Sequence, residues 1–216
     1  MLKKTITLFV KNPLFLPVWL VRIIFSMLFT ILPLYFASLN IPPSLIGLVI
    51  AIYGYAAFFM DITSSIFIDN VKKSNLIKFG IVGIFIFSMG LYIGLNQILY
   101  FIILQIILGL SLGIFRPSSS ALTVEIAGNK KAGTALGFYN IAYILGGSIG
   151  PLLATSLISF ANYKGLFLFS CFAILSVLVL VHFILPNEIS KHNSKINLRS
   201  HFKRLFFIIV HNKLYF

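Results

Sequence analysis

Acidic side chains are almost missing from this sequence: four Asp and Glu stand against 17 Lys and Arg among 216 residues. Charge of either sign is scarce, 10% of the chain, while 59% is hydrophobic. A soluble domain of this length could not hide that much apolar surface, so the soluble globular class is excluded. The strict apolar–polar alternation of a transmembrane barrel is lacking too, and long unbroken apolar runs take its place. Cysteine is nearly absent. Cys171 is alone and cannot form an intramolecular disulfide; its place in the middle of an apolar run suits core packing.

What is present is a mean hydropathy of +1.04, in the range of an integral membrane protein. The formal net charge of +13 would also suit a nucleic-acid binder, but such a protein gathers its cations on one solvated face. Here they fall between apolar runs, as membrane topology requires. The expected fold is therefore an all-α integral membrane bundle, with the lipid bilayer as its surroundings and no nucleic-acid partner.

A helix needs roughly 20 residues to cross about 30 Å of hydrocarbon. Six such segments are expected, at 13–38, 44–69, 77–95, 97–121, 132–158 and 163–185. The breaks between them have physical causes. "NIPPS" (40–44) places two prolines where helical donors are needed. "NVKKSN" (70–75) and "GNKK" (128–131) are charged and turn-forming, and "LNQ" (95–97) and "NYKG" (162–165) are short polar hairpin connections. The first segment follows "MLKK" as a signal peptide would, yet it is too long, carries Arg22 and lacks a small-residue cleavage site, so it is read as a retained helix. With six spans, every Lys and Arg except Lys164 and the intramembrane Arg22 falls on one side. The positive-inside rule makes that side, and both termini, cytoplasmic.

Small residues allow close backbone approach between helices in lipid. The fifth segment contains Gly133-xxx-Gly137 and Gly146-xxx-Gly150, with Pro151 following, and the fourth contains Gly109-xxx-Gly113. Ordinary helix packing is one reading of Gly109 and Gly113, whereas the glycines of the fifth segment are too dense and too specifically spaced for packing alone, and Pro151 can kink the helix there. The spacing Gly137-x8-Gly146-xxx-Gly150-Pro151-xx-Ala154-Thr155 resembles the segment-five antiporter motif of the major facilitator superfamily, with Ala154 and Thr155 where that motif has two further glycines. "ILPLYFASLNIPPSLIGLVIAIYG" (31–54) is similar to the family's first hairpin, and "GLSLGIFRPSSSALTVEIAGNKKAGTALGFYN" (109–140) to its fourth-to-fifth junction. "LPNE" (185–188) resembles the acidic ending of its sixth helix.

The resemblance implies two inverted three-helix repeats over 1–190, forming one six-helix half of the family fold. A basic central loop and the onset of a seventh helix would then follow over 191–216. On this reading the chain is a truncated or split transporter. It is most like exporters of drugs or small solutes that work by exchange, in the plasma or inner membrane, with a second half or another copy of itself as partner. The loop after the second helix keeps Asp69 with Lys72 and Lys73, but it lacks the family's glycines and first basic residue. Gln105 stands where the fourth helix of proton-coupled relatives has arginine. The resemblance marks Asp69, Lys72, Lys73, Arg116, Glu125, Gly137, Gly146, Gly150 and Pro151 as elements of the conformational switch.

An ionisable group inside a span is costly and is a functional hypothesis by default. Asp61 lies about eight residues, roughly 12 Å, from the end of the second helix, and Arg22 about nine residues into the first. At similar depth in one hairpin, they are expected to pair. The pair is either structural, or Asp61 serves a proton or a cationic substrate. Gln105, Tyr139, Asn140 and Tyr143 either contact substrate or bond one another and the backbone. Arg116 and Glu125 are expected near the watery end of the fourth helix, within reach of the Asp69 loop. "GLSLG" (109–113) fits the serine-hydrolase elbow, but that motif needs a strand-to-helix turn and here lies mid-span. No serine–histidine pair, metal-ligand spacing or phosphate loop appears, so the expectation is a transporter and not an enzyme, without cofactor or metal. The rival class is a non-transporting membrane protein, a decayed or regulatory half acting through helix association alone.

Overall fold

The computed structural model describes residues 13–68 and 71–185. Among them are five helices long and apolar enough to cross a membrane: α1 (Phe15–Ser38), α2 (Pro43–Phe67), α3 (Lys73–Ile93), α4 (Ile98–Ala127) and α5 (Ala132–Ile184). A 3₁₀ turn, Asn129–Lys131, joins α4 to α5. Asp69, most of the "LPNE" ending and the whole 191–216 tail lie outside the described residues.

The helices stop where local chemistry stops them. After α1 the chain turns at Asn40 (φ 58°), a residue type that tolerates the left-handed region. Pro42 and Pro43 then cap and open α2, at positions where a missing N–H costs nothing. Gly94 (φ 63°) ends α3 in the left-handed conformation and donates its N–H to the Gly90 carbonyl at 3.0 Å. Gly128 (φ 72°) ends α4. Two boundaries lie beyond the expected ones. α3 begins at Lys73 rather than 77, and α4 continues to Ala127 rather than stopping at 121. Hydropathy marks the part of a helix that sits in lipid, whereas backbone hydrogen bonding carries the helix on into polar sequence.

The expected fifth and sixth spans follow one another in a single element with a break between them. α5 is 53 residues long, and its backbone breaks at Asn162 (φ 56°, ψ −179°). Its arms lie on opposite sides of this break. Tyr163 and Phe167, just past it, pack on Tyr35 near the end of α1, with ring centroids 5.4 and 5.0 Å away. Leu185, at the far end, accepts a hydrogen bond from Ser74 at the start of α3. The second arm thus returns towards the end of the bundle from which α5 set out.

Consecutive helices are not always neighbours. α1 packs along α5 and α2 along α4, while α1 and α2 barely touch. α4 is central. Its Gly109 and Gly113 lie on α2, and its Ser111 and Phe115 lie against Gly80 and Gly83 of α3. Phe36, Phe87, Phe101, Phe115 and Phe167 are fully buried among these helices. Cys171 is buried, as core packing requires. By contrast α2 exposes Tyr55, Phe58, Phe59 and Ile62 on its outer side, an apolar surface suited to lipid or protein.

Candidate functional site

Two close crossings position the site. At the first, a methyl group added to Gly113 would sit 2.8 Å from the Ala57 carbonyl oxygen and 2.6 Å from Met60 Cβ. One added to Gly109 would sit 2.6 Å from the Tyr53 carbonyl oxygen. Only hydrogen fits there. Pro117, one turn on, has no N–H, so the Gly113 carbonyl loses its donor in the i→i−4 pattern. Ser64 of α2 replaces it, donating its hydroxyl to that carbonyl at 2.9 Å. The orphaned carbonyl and the crossing are one construction.

At the second crossing, a methyl group on Gly150 would lie 2.6 Å from the Ile23 carbonyl oxygen and 2.7 Å from the Met27 nitrogen. On Gly146 it would lie 2.7 Å from the Trp19 carbonyl oxygen. Ser26 of α1 donates to the Gly146 carbonyl at 3.1 Å. Gly147 leaves room for the Arg22 guanidinium, whose Nε would stand 3.2 Å from an added methyl. Gly133 and Gly137 face open space, so the packing expected of that pair is not made among the described residues.

The charged residues meet differently from the expected pairing. Arg22 does not pair with Asp61. Asp61 is held by Arg116, with Nη1 3.5 Å from Oδ2. The reason is topological, since Arg22 and Asp61 lie on helices that turn to different partners. α4 also runs further than its hydropathy suggests, which leaves Arg116 eleven residues, roughly 16 Å, inside its end. The Arg22 guanidinium lies over aromatic rings, its Cζ 4.2 Å from the Tyr143 centroid and 5.0 Å from that of Phe25. This is cation–π geometry. Its Nε is buried without a hydrogen-bond partner. Glu125 pairs with Lys73 at 3.1 Å, tying the end of α4 to the start of α3. Lys72 is exposed.

Asp61 and Arg116 line a cavity of about 340 Å³ together with Pro117, Ser120, Leu136, Tyr139, Asn140 and Tyr143. The volume lies in the range of small-molecule sites. Tyr139 and Tyr143 are stacked, centroids 6.3 Å apart with 16° between planes. The Tyr139 hydroxyl lies 2.9 Å from Ser119 Oγ, and Ser119 in turn lies 2.7 Å from the Phe115 carbonyl it donates to. About two helical turns of α5, from Leu136 through Asn140 to Tyr143, thus face α4 around Arg116 and Pro117. Of the sequence candidates, Asp61, Tyr139, Asn140, Tyr143 and Arg116 come together here. Arg22 lies behind Tyr143, and Gln105 is not a lining residue. Gln105 is 1% exposed, and neither of its amide atoms has a partner. Ser64 and Ser26 do not stand out in the sequence. For Ser64 the one legible signal is Pro117, which announces an orphan carbonyl but not its donor; for Ser26 there is none.

The family model of the Major Facilitator Superfamily matches residues 14–215. The chain belongs to this superfamily. Its fold is similar to a solved structure described as a POT family transporter in complex with thioalcohol conjugated peptide, with a TM-score of 0.72 and 18% sequence identity. The match covers 94% of this chain and 45% of that one, so the chain spans less than half the length of that transporter. At this identity the likeness is one of fold. No curated protein matches the chain.

Proposed function

We infer that this superfamily member is one six-helix half of a secondary transporter for a small solute. It would work by rocking against a second half or another copy of itself. The carrying observation is the cavity between α2, α4 and α5, where an acid, a base and two stacked tyrosines face open space within membrane-length helices. Such groups in lipid are costly unless they line a path. The break at Asn162 and the return of the second arm support six crossings in all. The positive-inside distribution supports cytoplasmic termini in the plasma or inner membrane, and the segment-five glycine pattern supports export by exchange.

The glycines divide the work. Gly146 and Gly150 hold α1 to α5, while a methyl group added at Gly47 or Gly54 on α2 or at Gly137 on α5 would enter open space. These open small residues suit close approach by a second bundle. Residues 191–216 would serve as the basic cytoplasmic connection. Asp69 and Lys72 would act with the Lys73–Glu125 tie as a latch, and Pro151 would give α5 its flexing point. Gln105 would lie on the solute path, its amide satisfied when water or solute reaches it.

The test is reconstitution into proteoliposomes, alone and with a co-expressed second six-helix bundle, scored by counterflow of a panel of labelled small solutes. Flux with the pair and none with the chain alone is expected. Association without flux of any solute would favour the non-transporting class instead. Impermeant maleimide on single cysteines, in a Cys171→Ser background, should label positions 72 and 130 only from inside and position 96 from outside.

A further inference from the structure

We propose that Arg116 is the anchor for an anionic group of the solute, and that Asp61 is a built-in placeholder for that anion. The proposal rests on the transporter reading and names its substrate class. Two acidic side chains fall among the described residues, and both are engaged: Glu125 with Lys73 at the bundle end, and Asp61 with Arg116 at the cavity. Arg22 has no carboxylate within 4 Å among these residues, and its Nε is buried without a partner. The region around Tyr143 therefore holds two guanidinium groups and one carboxylate, since Arg116 lies 6.0 Å and Arg22 4.2 Å from the same ring. An excess positive charge at membrane depth attracts an anion and repels a cation.

The Asp61–Arg116 contact has the form of a displaceable pair. It is a single oxygen-to-nitrogen approach at 3.5 Å, and both side chains keep exposure, 34% and 45%. A guanidinium carries five N–H donors and binds a carboxylate best through two parallel bonds. The pair seen here leaves that mode unused. An incoming carboxylate can take it and release Asp61 into the cavity. Beside Arg116, stacked Tyr139 and Tyr143 and the apolar Leu136 form a wall, and Asn140 adds an amide. An aromatic or similarly flat carboxylate matches this combination of anchor, wall and volume. A single anchor that must be vacated before the next anion binds is also what exchange requires.

The test is equilibrium binding to the whole chain in phosphatidylcholine nanodiscs, by calorimetry, with benzoate, benzylammonium and benzyl alcohol as probes. Benzoate is expected to bind saturably and at least about tenfold more tightly than the other two. Asp61→Asn should tighten benzoate several-fold, because it removes the internal competitor. Arg116→Gln should abolish binding, and Arg116→Lys should weaken it. The gain in Asp61→Asn also guards against misfolding as an explanation, since an unfolded variant gains nothing. Preference for benzylammonium, weaker benzoate binding in Asp61→Asn, or no saturable binding of any probe would overturn the proposal. Benzoate binding without flux in the paired reconstitution would sink the transporter reading alone, and flux of another solute without benzoate binding would sink this one alone.

Discussion

The crossing of α2 with α4 and the crossing of α1 with α5 are built from the same parts and end in different chemistry. Each has a Gly-xxx-Gly pair pressed on a neighbouring backbone, and each has a serine that reaches across to a glycine carbonyl. In each, the serine also lies within hydrogen-bond distance of the carbonyl three residues before it, Asp61 for Ser64 and Ile23 for Ser26. Each carries an arginine close to Tyr143. At the first, however, the serine serves the carbonyl that Pro117 orphans, and the arginine has an acid. At the second, Pro151 orphans the carbonyl of Gly147, while Ser26 serves that of Gly146, and the arginine has only rings. One crossing satisfies an orphaned carbonyl and holds a charge pair in the cavity wall. The other clamps two helices and leaves a cation in reserve.

Bulky residues at the crossings should break both. Gly113→Leu and Gly150→Leu each put a side chain into backbone, and each is expected to cost about 3 kcal/mol or more. This is measurable as a large fall in melting temperature in detergent. Gly137→Leu, facing open space, should leave the isolated chain unchanged. If Gly137→Leu is as damaging as the other two, the distinction between closed and open glycines fails.

The serines sharpen the comparison. Ser64→Ala leaves the Gly113 carbonyl buried without a donor and should cost about 1.5 kcal/mol. Ser26→Ala should cost about 0.5 kcal/mol, a typical value for a hydrogen bond between membrane helices. Replacing Pro117 with Ala restores an N–H, so Ser64→Ala in that background should become nearly as mild as Ser26→Ala. Equal costs for the two serines in the native background would show that the proline has no part in the difference.

The arginines give smaller effects. A double-mutant cycle of Arg116→Gln with Asp61→Asn should return a coupling of about 1 kcal/mol. The cycle of Arg22→Gln with Asp61→Asn should return a value near zero. Coupling between Arg22 and Asp61 would restore the hairpin pairing that the sequence suggests. Smallest of all is Lys73→Gln, where a partly exposed ion pair at the bundle end should contribute no more than about 1 kcal/mol, reduced further by salt.

Particular residues show how much of this was legible. The helix class, the breaks at Asn40–Pro43 and Gly128, and the family itself follow from local apolar length, turn chemistry and glycine spacing. The glycines on α3 are not legible in the sequence, because Gly80 and Gly83 do not form a spaced motif and matter only through Ser111 and Phe115. The cavity was half legible. Tyr139, Asn140 and Tyr143 stand out as polar groups in an apolar run, but nothing in their spacing points to α4 rather than to one another.

What the sequence determined by itself is whatever depends on near neighbours along the chain: that it is a helical membrane protein, where its helices turn, and which intramembrane charges need an explanation. Which charges meet was decided by the tertiary structure alone. Arg22 and Asp61 lie on consecutive helices, at depths the sequence reads as similar, yet a helix can face only one way, and close contact in lipid goes to the helix whose glycines admit it. α4 admits α2, so Asp61 finds Arg116. α5 admits α1, so Arg22 finds Tyr143.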